Sequence, residues 1–118
     1  MDGRLLFLRK KFLDNLAHNW TVPEMANEVG LSAPHLQKLF KRNLGISPHA
    51  YLHELRLDRC REMLETTFLR LKEIGQQIGI SDCSHLSQHF RHKYGWTPTE
   101  YRRQFWNKAE LDEYTRPE

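Results

Sequence analysis

Near the start of the chain, Leu5, Leu8, Phe12 and Leu16 recur every three or four residues, with Arg9, Lys10 and Lys11 on the other side. That spacing predicts an amphipathic helix over Arg4 to Ala17. Thr21-Val-Pro-Glu24 then reads as a capping box, in which the Thr hydroxyl takes a helix N–H and the Glu accepts the Thr N–H. The short helix it opens is expected to end at Gly30, since glycine enters the left-handed region without a Cβ clash. Ser32 caps a further helix to about Asn43, with Leu36, Leu39 and Phe40 facing inward. A long helix follows over residues 47–65, where Ser47 is a good N-cap and Pro48 suits the first helical position. Tyr51, Leu52, Leu55, Cys60, Met63 and Leu64 are expected to keep one apolar stripe along it, with His53, Glu54, Asp58, Arg59, Glu62 and Glu65 between.

The pattern then repeats. Met25, Gly30, Leu36, Phe40, Gly45, Pro48 and Tyr51 match Ile74, Gly79, Leu86, Phe90, Gly95, Pro98 and Tyr101, with one extra residue in the second turn. A solenoid needs about three or more stacked units, and there are two here. Each copy is a pair of short helices around a tight Gly-containing turn, the grammar of a helix-turn-helix. Asp82 is the cap of the second copy's latter helix, and Thr97 with Glu100 forms another capping box. Two copies in register, each followed by Gly-x-[Ser/Thr]-Pro-x-x-Tyr, make the pattern far more specific than one copy would be.

At 118 residues the chain has the size of one domain or two small lobes, too small for a deep catalytic cleft. Its 39% hydrophobic and 28% charged residues fit a soluble globular protein, and no apolar run approaches the roughly 20 residues that span a bilayer. Cys60 and Cys83 lie outside any C-x-x-C pattern, so a reducing cytoplasm is the expected compartment. Net charge is +3, but Lys108 is followed by a stretch with four acids and one Arg. Removing that stretch leaves 17 bases and 11 acids in residues 1–108, a net of +6. A basic body favours a polyanionic partner only modestly, so position decides.

The residues Leu52…Arg56-Leu57…Cys60…Met63-Leu64, then Ile74…Gly79…Leu86…Phe90…Gly95-x-Thr97-Pro98…Tyr101-Arg102, resemble the DNA-binding domain of AraC/XylS-type bacterial transcription regulators. The resemblance covers about residues 4–105 and implies an all-α fold of seven helices. Two helix-turn-helix subdomains, about 4–46 and 66–105, would be joined by a long linker helix of about 47–65; residues 106–118, an acidic tail by their charge, fall outside the resemblance. Both recognition helices are then expected on one face of the same double-stranded DNA site, in successive major-groove segments. The linker from Pro48 to Glu65 would span about 27 Å, which with both lobes can hold those helices about one DNA turn apart.

On the first recognition helix the outward positions are Ala33, Pro34, Gln37, Lys38 and Lys41. By resemblance Pro34, Gln37 and Lys38 reach base edges, where Gln suits adenine and Lys suits guanine. On the second, Cys83, Ser84, Ser87, Gln88 and Arg91 are outward and less charged. Gln88 stands where the family usually has a basic residue, so this lobe is expected to hold phosphate more than to read bases. Gly75 and Ile80 replace the family's usual Ala and Phe, and the glycine is expected to weaken its helix by up to about 1 kcal/mol. Arg42, Lys93, Arg102 and Arg103 complete the expected phosphate contacts, which position a protein without specifying sequence.

His85, His89, His92 and Cys83 share one helix, but no hydrolytic H-E-x-x-H accompanies them, and neither metal nor cofactor is expected. His89 is read as a partly buried neutral residue, His49 and His53 as surface residues, and Cys60 as a small core hydrophobe. The expected role is therefore promoter or operator binding, not enzymatic catalysis. RNA polymerase is a second candidate partner, and the rival reading is a helical protein-interaction module that reads no bases. The family commonly carries an effector-binding or dimerisation domain ahead of this one, so an excised domain is favoured over a stand-alone regulator.

Overall fold

The computed structural model describes residues 1–115, with side chains to Lys108. Among the described residues there are seven helices and no strand: α1 (Gly3–Asp14), α2 (Val22–Glu28), α3 (Ala33–Leu44), α4 (Pro48–Thr66), α5 (Leu71–Ile78), α6 (Cys83–Tyr94) and α7 (Pro98–Thr115). α7 runs past residue 105, and the acids at 110, 112, 113 and 118 of the expected tail lie outside the described side chains. No described helix is long and apolar enough to cross a membrane.

The chain divides into two compact units, with the boundary between Arg56 and Leu57, inside α4. In the first unit Leu5, Leu8 and Phe12 of α1 pack with Met25, Ala26, Leu36, Leu39 and Phe40, and with Leu52 and Leu55 from the opening turns of α4. In the second, Leu57, Cys60, Met63 and Leu64 of α4 pack with Ile74, Ile78, Ile80, Leu86 and Phe90. α4 therefore does not carry the single stripe expected of it. Leu57, which that stripe omits, is buried because the later turns of α4 serve a different core from the first.

The first helix also stops short of its expected end. α1 finishes at Asp14, and Asn15 leaves helical geometry at φ −151° and ψ 67°. The carbonyls of this exit are satisfied from outside the helix, because Arg56 donates from Nε to Leu16 and from Nη2 to His18, both at 2.9 Å. Trp20 donates its indole N–H to the Asn15 carbonyl at 3.0 Å. Leu16 remains buried although it is no longer helical.

Caps fix the helix-turn-helix pairs. Ser32 accepts from the His35 N–H, Ser47 from Ala50, and Asp82 from both Ser84 and His85. Thr97 and Glu100 form both halves of their capping box, at 3.2 and 3.1 Å. The Thr21 box forms only in part: its hydroxyl accepts from the Glu24 N–H, but the Glu24 carboxylate turns to His18 Nε2 at 2.5 Å. α5 shows the complementary half, with Glu73 accepting the Arg70 N–H and a side chain at Arg70 that cannot accept in return.

The two turns share a closing bond. Leu31 donates its N–H to the Ala26 carbonyl and Ile80 to Gly75, at 3.0 and 2.9 Å, each across a glycine at positive φ, Gly30 and Gly79. This is the Schellman arrangement. One residue, Leu31, separates glycine from cap in the first copy, whereas Ile80 and Ser81 do so in the second. There a Cβ at Gly75 would lie 2.4 Å from the Ile80 carbonyl oxygen. Gly75 is thus not the weakness expected of a helical glycine: the longer turn lays backbone over α5 where a methyl group would not fit.

Candidate nucleic-acid interface

In α3 the burial of Leu36, Leu39 and Phe40 fixes which way the remaining side chains face. Pro34, Gln37, Lys38, Lys41 and Arg42 are exposed, and Ala33 is half-buried. Pro34, Gln37, Lys38 and Lys41, with Ser47 at the start of α4, line an open groove of about 400 Å³. Pro34, Lys38 and Arg42 also border a second depression of about 370 Å³, which Arg4, Ser32, His35 and Leu39 complete. The outer side of α3 is therefore a continuous, mostly basic surface on a helix held from within by three large apolar residues.

α6 is seated in the same way by Leu86 and Phe90. Ser84, Gln88 and Arg91 are exposed, while Cys83 and Ser87 are half-buried. Its C-terminal end differs from that of α3. Lys93 Nζ lies 2.8 Å from Asp58 Oδ1, and the Tyr94 hydroxyl donates to the same oxygen. Desolvation raises the Asp58 pKa, but hydrogen bonds from Lys93 and Tyr94 outweigh it and hold the carboxyl below its ordinary range. Lys93, expected at phosphate, is instead engaged within the unit.

Arg102, also expected at phosphate, is engaged in a similar way. Its guanidinium donates to the carbonyls of Leu64, Leu69 and Thr67 at 3.2, 2.7 and 3.0 Å. It closes the exit of α4 as Arg56 closes the exit of α1, so its donors are turned inward. Arg103 is exposed on α7. His89, expected to be partly buried, is exposed, and its ring meets that of His85 edge-on at 4.1 Å. His49 is exposed and His53 half-buried. Among the described residues no group of three or more His, Cys, Asp or Glu is placed to hold a metal ion. Cys60 is buried, and that burial pushes its thiol up to about 12, with Arg102 opposing weakly.

Two helix-turn-helix units, each presenting the outer side of its second helix, are matched by what the chain resembles. A helix-turn-helix domain family matches residues 25–104. A crystal structure of an AraC-type DNA-binding-domain transcriptional regulator from Chromobacterium violaceum is 33% identical, with TM-score 0.82, covering 86% of this chain and 91% of that one. This chain belongs to the AraC/XylS family.

Among curated relatives in that family, the regulator ArgR of Pseudomonas aeruginosa is 38% identical over 90 residues, which is 76% of this chain and 27% of the relative. The chain spans about a third of the length of the curated relatives it matches. The DNA-binding domain of AdpA, whose structure is of a complex with target DNA, shares the fold at TM-score 0.82 and 22% identity, over 91% of this chain and 96% of that one. Fold and family are those of transcription regulators.

Within this AraC/XylS domain, sequence reasoning missed Arg4 and His35 as neighbours of the α3 surface. Arg4 lies 28 or more residues from the others and nothing local marks it. The only available signal was that α1 must pack on the lobe through Leu5 and Leu8, which brings its first turn near α3.

Proposed function

We propose that this chain is the sequence-specific, double-stranded DNA-binding part of a bacterial transcription regulator, with α3 and α6 each entering a major-groove segment of one site. The observation that carries the reading is the outer side of α3, where Gln37, Lys38 and Lys41 stand exposed on a helix whose opposite side is anchored in a core. Gln37 is suited to a bidentate contact with adenine and Lys38 to guanine, while Pro34 and Ala33 offer apolar contact to a thymine methyl. Arg42, Arg91 and Arg103 are the proposed phosphate contacts; Lys93 and Arg102 are left out because both are half-buried with their charged groups engaged internally.

α6 offers a less charged surface, with Ser84, Ser87 and Gln88 ahead of Arg91. Its proposed role is therefore weighted toward the backbone, with weaker discrimination among bases. Whole-protein functions, including contact with RNA polymerase and any effector or dimerisation domain, are proposed to involve the length of the relatives that this chain does not span.

Selection of sites from random duplex DNA by the purified chain tests the reading. Enrichment of a motif is the expected result, with affinity falling as salt rises because bound phosphates release counterions. Salt-sensitive binding without an enriched motif would reduce the role to electrostatic attraction. No binding at low salt would support the protein-interaction module instead.

A further inference from the structure

The depression at the head of α3 holds more positive charge than base reading requires. Arg4 from α1 joins Lys38 and Arg42 from α3 around about 370 Å³, with His35 and the N-cap residue Ser32 on its wall. Among the described residues that line it there is no carboxylate. Asp2 pairs with Arg4 through Nε–Oδ1 at 3.1 Å and Nη2–Oδ2 at 3.0 Å, and also caps α1 by accepting the Arg4 N–H at 2.8 Å. The Arg4 side chain stays 44% exposed, so it remains open to an external anion.

Resting on the DNA-binding reading above, we infer that Arg4 and Arg42, beside the base-reading Lys38, form a pocket for one phosphate of the DNA backbone, with Asp2 as an internal competitor for Arg4. The chemistry favours this assignment. A guanidinium presents a planar fork of donors that matches two phosphate oxygens, and Lys38 and Arg42 add charge from one helix side, four residues apart. A phosphate seated there would also fix the register of α3 in the groove, because Lys38 and Pro34 border both this pocket and the groove that holds Gln37. Asp2 makes the contact conditional, since phosphate must displace a carboxylate from Arg4.

The test measures affinity for a selected duplex against salt concentration, using the whole chain with Arg4→Gln, Asp2→Asn, the double variant, and Asp14→Asn as a charge control at the far end of α1. Arg4→Gln should weaken binding several-fold for every sequence alike and reduce the salt slope by about 0.9, the value of one phosphate contact. Asp2→Asn should strengthen binding more than Asp14→Asn does, and should give no such gain when Arg4 is already Gln. Circular dichroism of each variant confirms that α1 persists.

An unchanged slope and affinity in Arg4→Gln, with the unaltered chain still binding its motif, would overturn the pocket and leave the reading of the domain intact. Absence of DNA binding by the unaltered chain would overturn both. Inorganic phosphate serves as the small-anion probe. Perturbation of Arg4, Lys38 and Arg42 by millimolar phosphate, with DNA binding insensitive to Arg4→Gln, would assign the pocket to a free anion instead.

Discussion

The two units seat their helix-turn-helix pairs on matching apolar residues and differ in what they do with charge. Phe40 and Phe90 are fully buried at matching places, as are Leu36 and Leu86. In the first unit the residues at the C-terminal end of α3, Lys41 and Arg42, stand outward, and Arg42 borders an open depression. In the second the matching residues Arg91 and His92 also stand outward, but the next two, Lys93 and Tyr94, meet Asp58 where the first unit has Asn43 and Leu44. A duplicated fold can thus keep its apolar frame and its outward side while one copy gains a cation, Lys93, that pins its own helices. The unequal roles proposed for the two recognition helices rest on the outward side itself, where Gln88 stands at the place of Lys38.

The frame gives the largest expected effects. Phe40→Ala and Phe90→Ala should each cost about 3–5 kcal/mol in urea unfolding, and a small loss at either position would break the equivalence of the two cores. Gly75→Ala comes next. With a Cβ 2.4 Å from the Ile80 carbonyl oxygen, the alanine variant should be destabilised by about 1–3 kcal/mol, as overpacked sites are. Ala26→Gly, its counterpart in the first unit, should lose roughly 1 kcal/mol through helix propensity. A stabilised Gly75→Ala variant would mean that the second turn has no need of its glycine.

The smallest effect belongs to the polar network. The folded state holds Asp58 below the ordinary carboxylate value of about 3.9, so its proton binds less readily in the native chain than in the unfolded one. That contribution is complete above the ordinary value and is lost as pH falls through the lowered one. Because the Asp58 side chain is 48% exposed, the loss should stay under about 1 kcal/mol. Asp58→Asn should flatten this part of the acid-side decline in thermal stability. An identical decline in both proteins would place the acid sensitivity elsewhere.

Local signals in the sequence suffice where they decide the structure alone. Gly30 and Gly79, the caps Ser32, Ser47 and Asp82, and the inward positions of α3 and α6 all follow from residues within one turn of each other. The misses depend on partners far along the chain. α1 ends early because Arg56 takes carbonyls 38 and 40 residues before it, and Arg102 turns inward toward carbonyls of the α4 exit. Glu24 leaves its capping box for His18, and the need for Gly75 comes from a carbonyl whose position is set by the longer turn. A one-stripe reading of α4 fails because periodicity cannot report that one helix serves two cores. The grouping of Arg4 with Lys38 and Arg42 was hidden for the same reason.

The proposed inequality of the two recognition helices is tested most directly by selecting sites with the unaltered chain, Gln37→Ala and Gln88→Ala side by side. The account predicts that Gln37→Ala relaxes preference within one block of the motif by about 1–3 kcal/mol, the worth of a bidentate base contact. It also predicts that Gln88→Ala leaves the motif nearly unchanged. Equal relaxation by the two variants, or a motif that survives Gln37→Ala and collapses in Gln88→Ala, would contradict it.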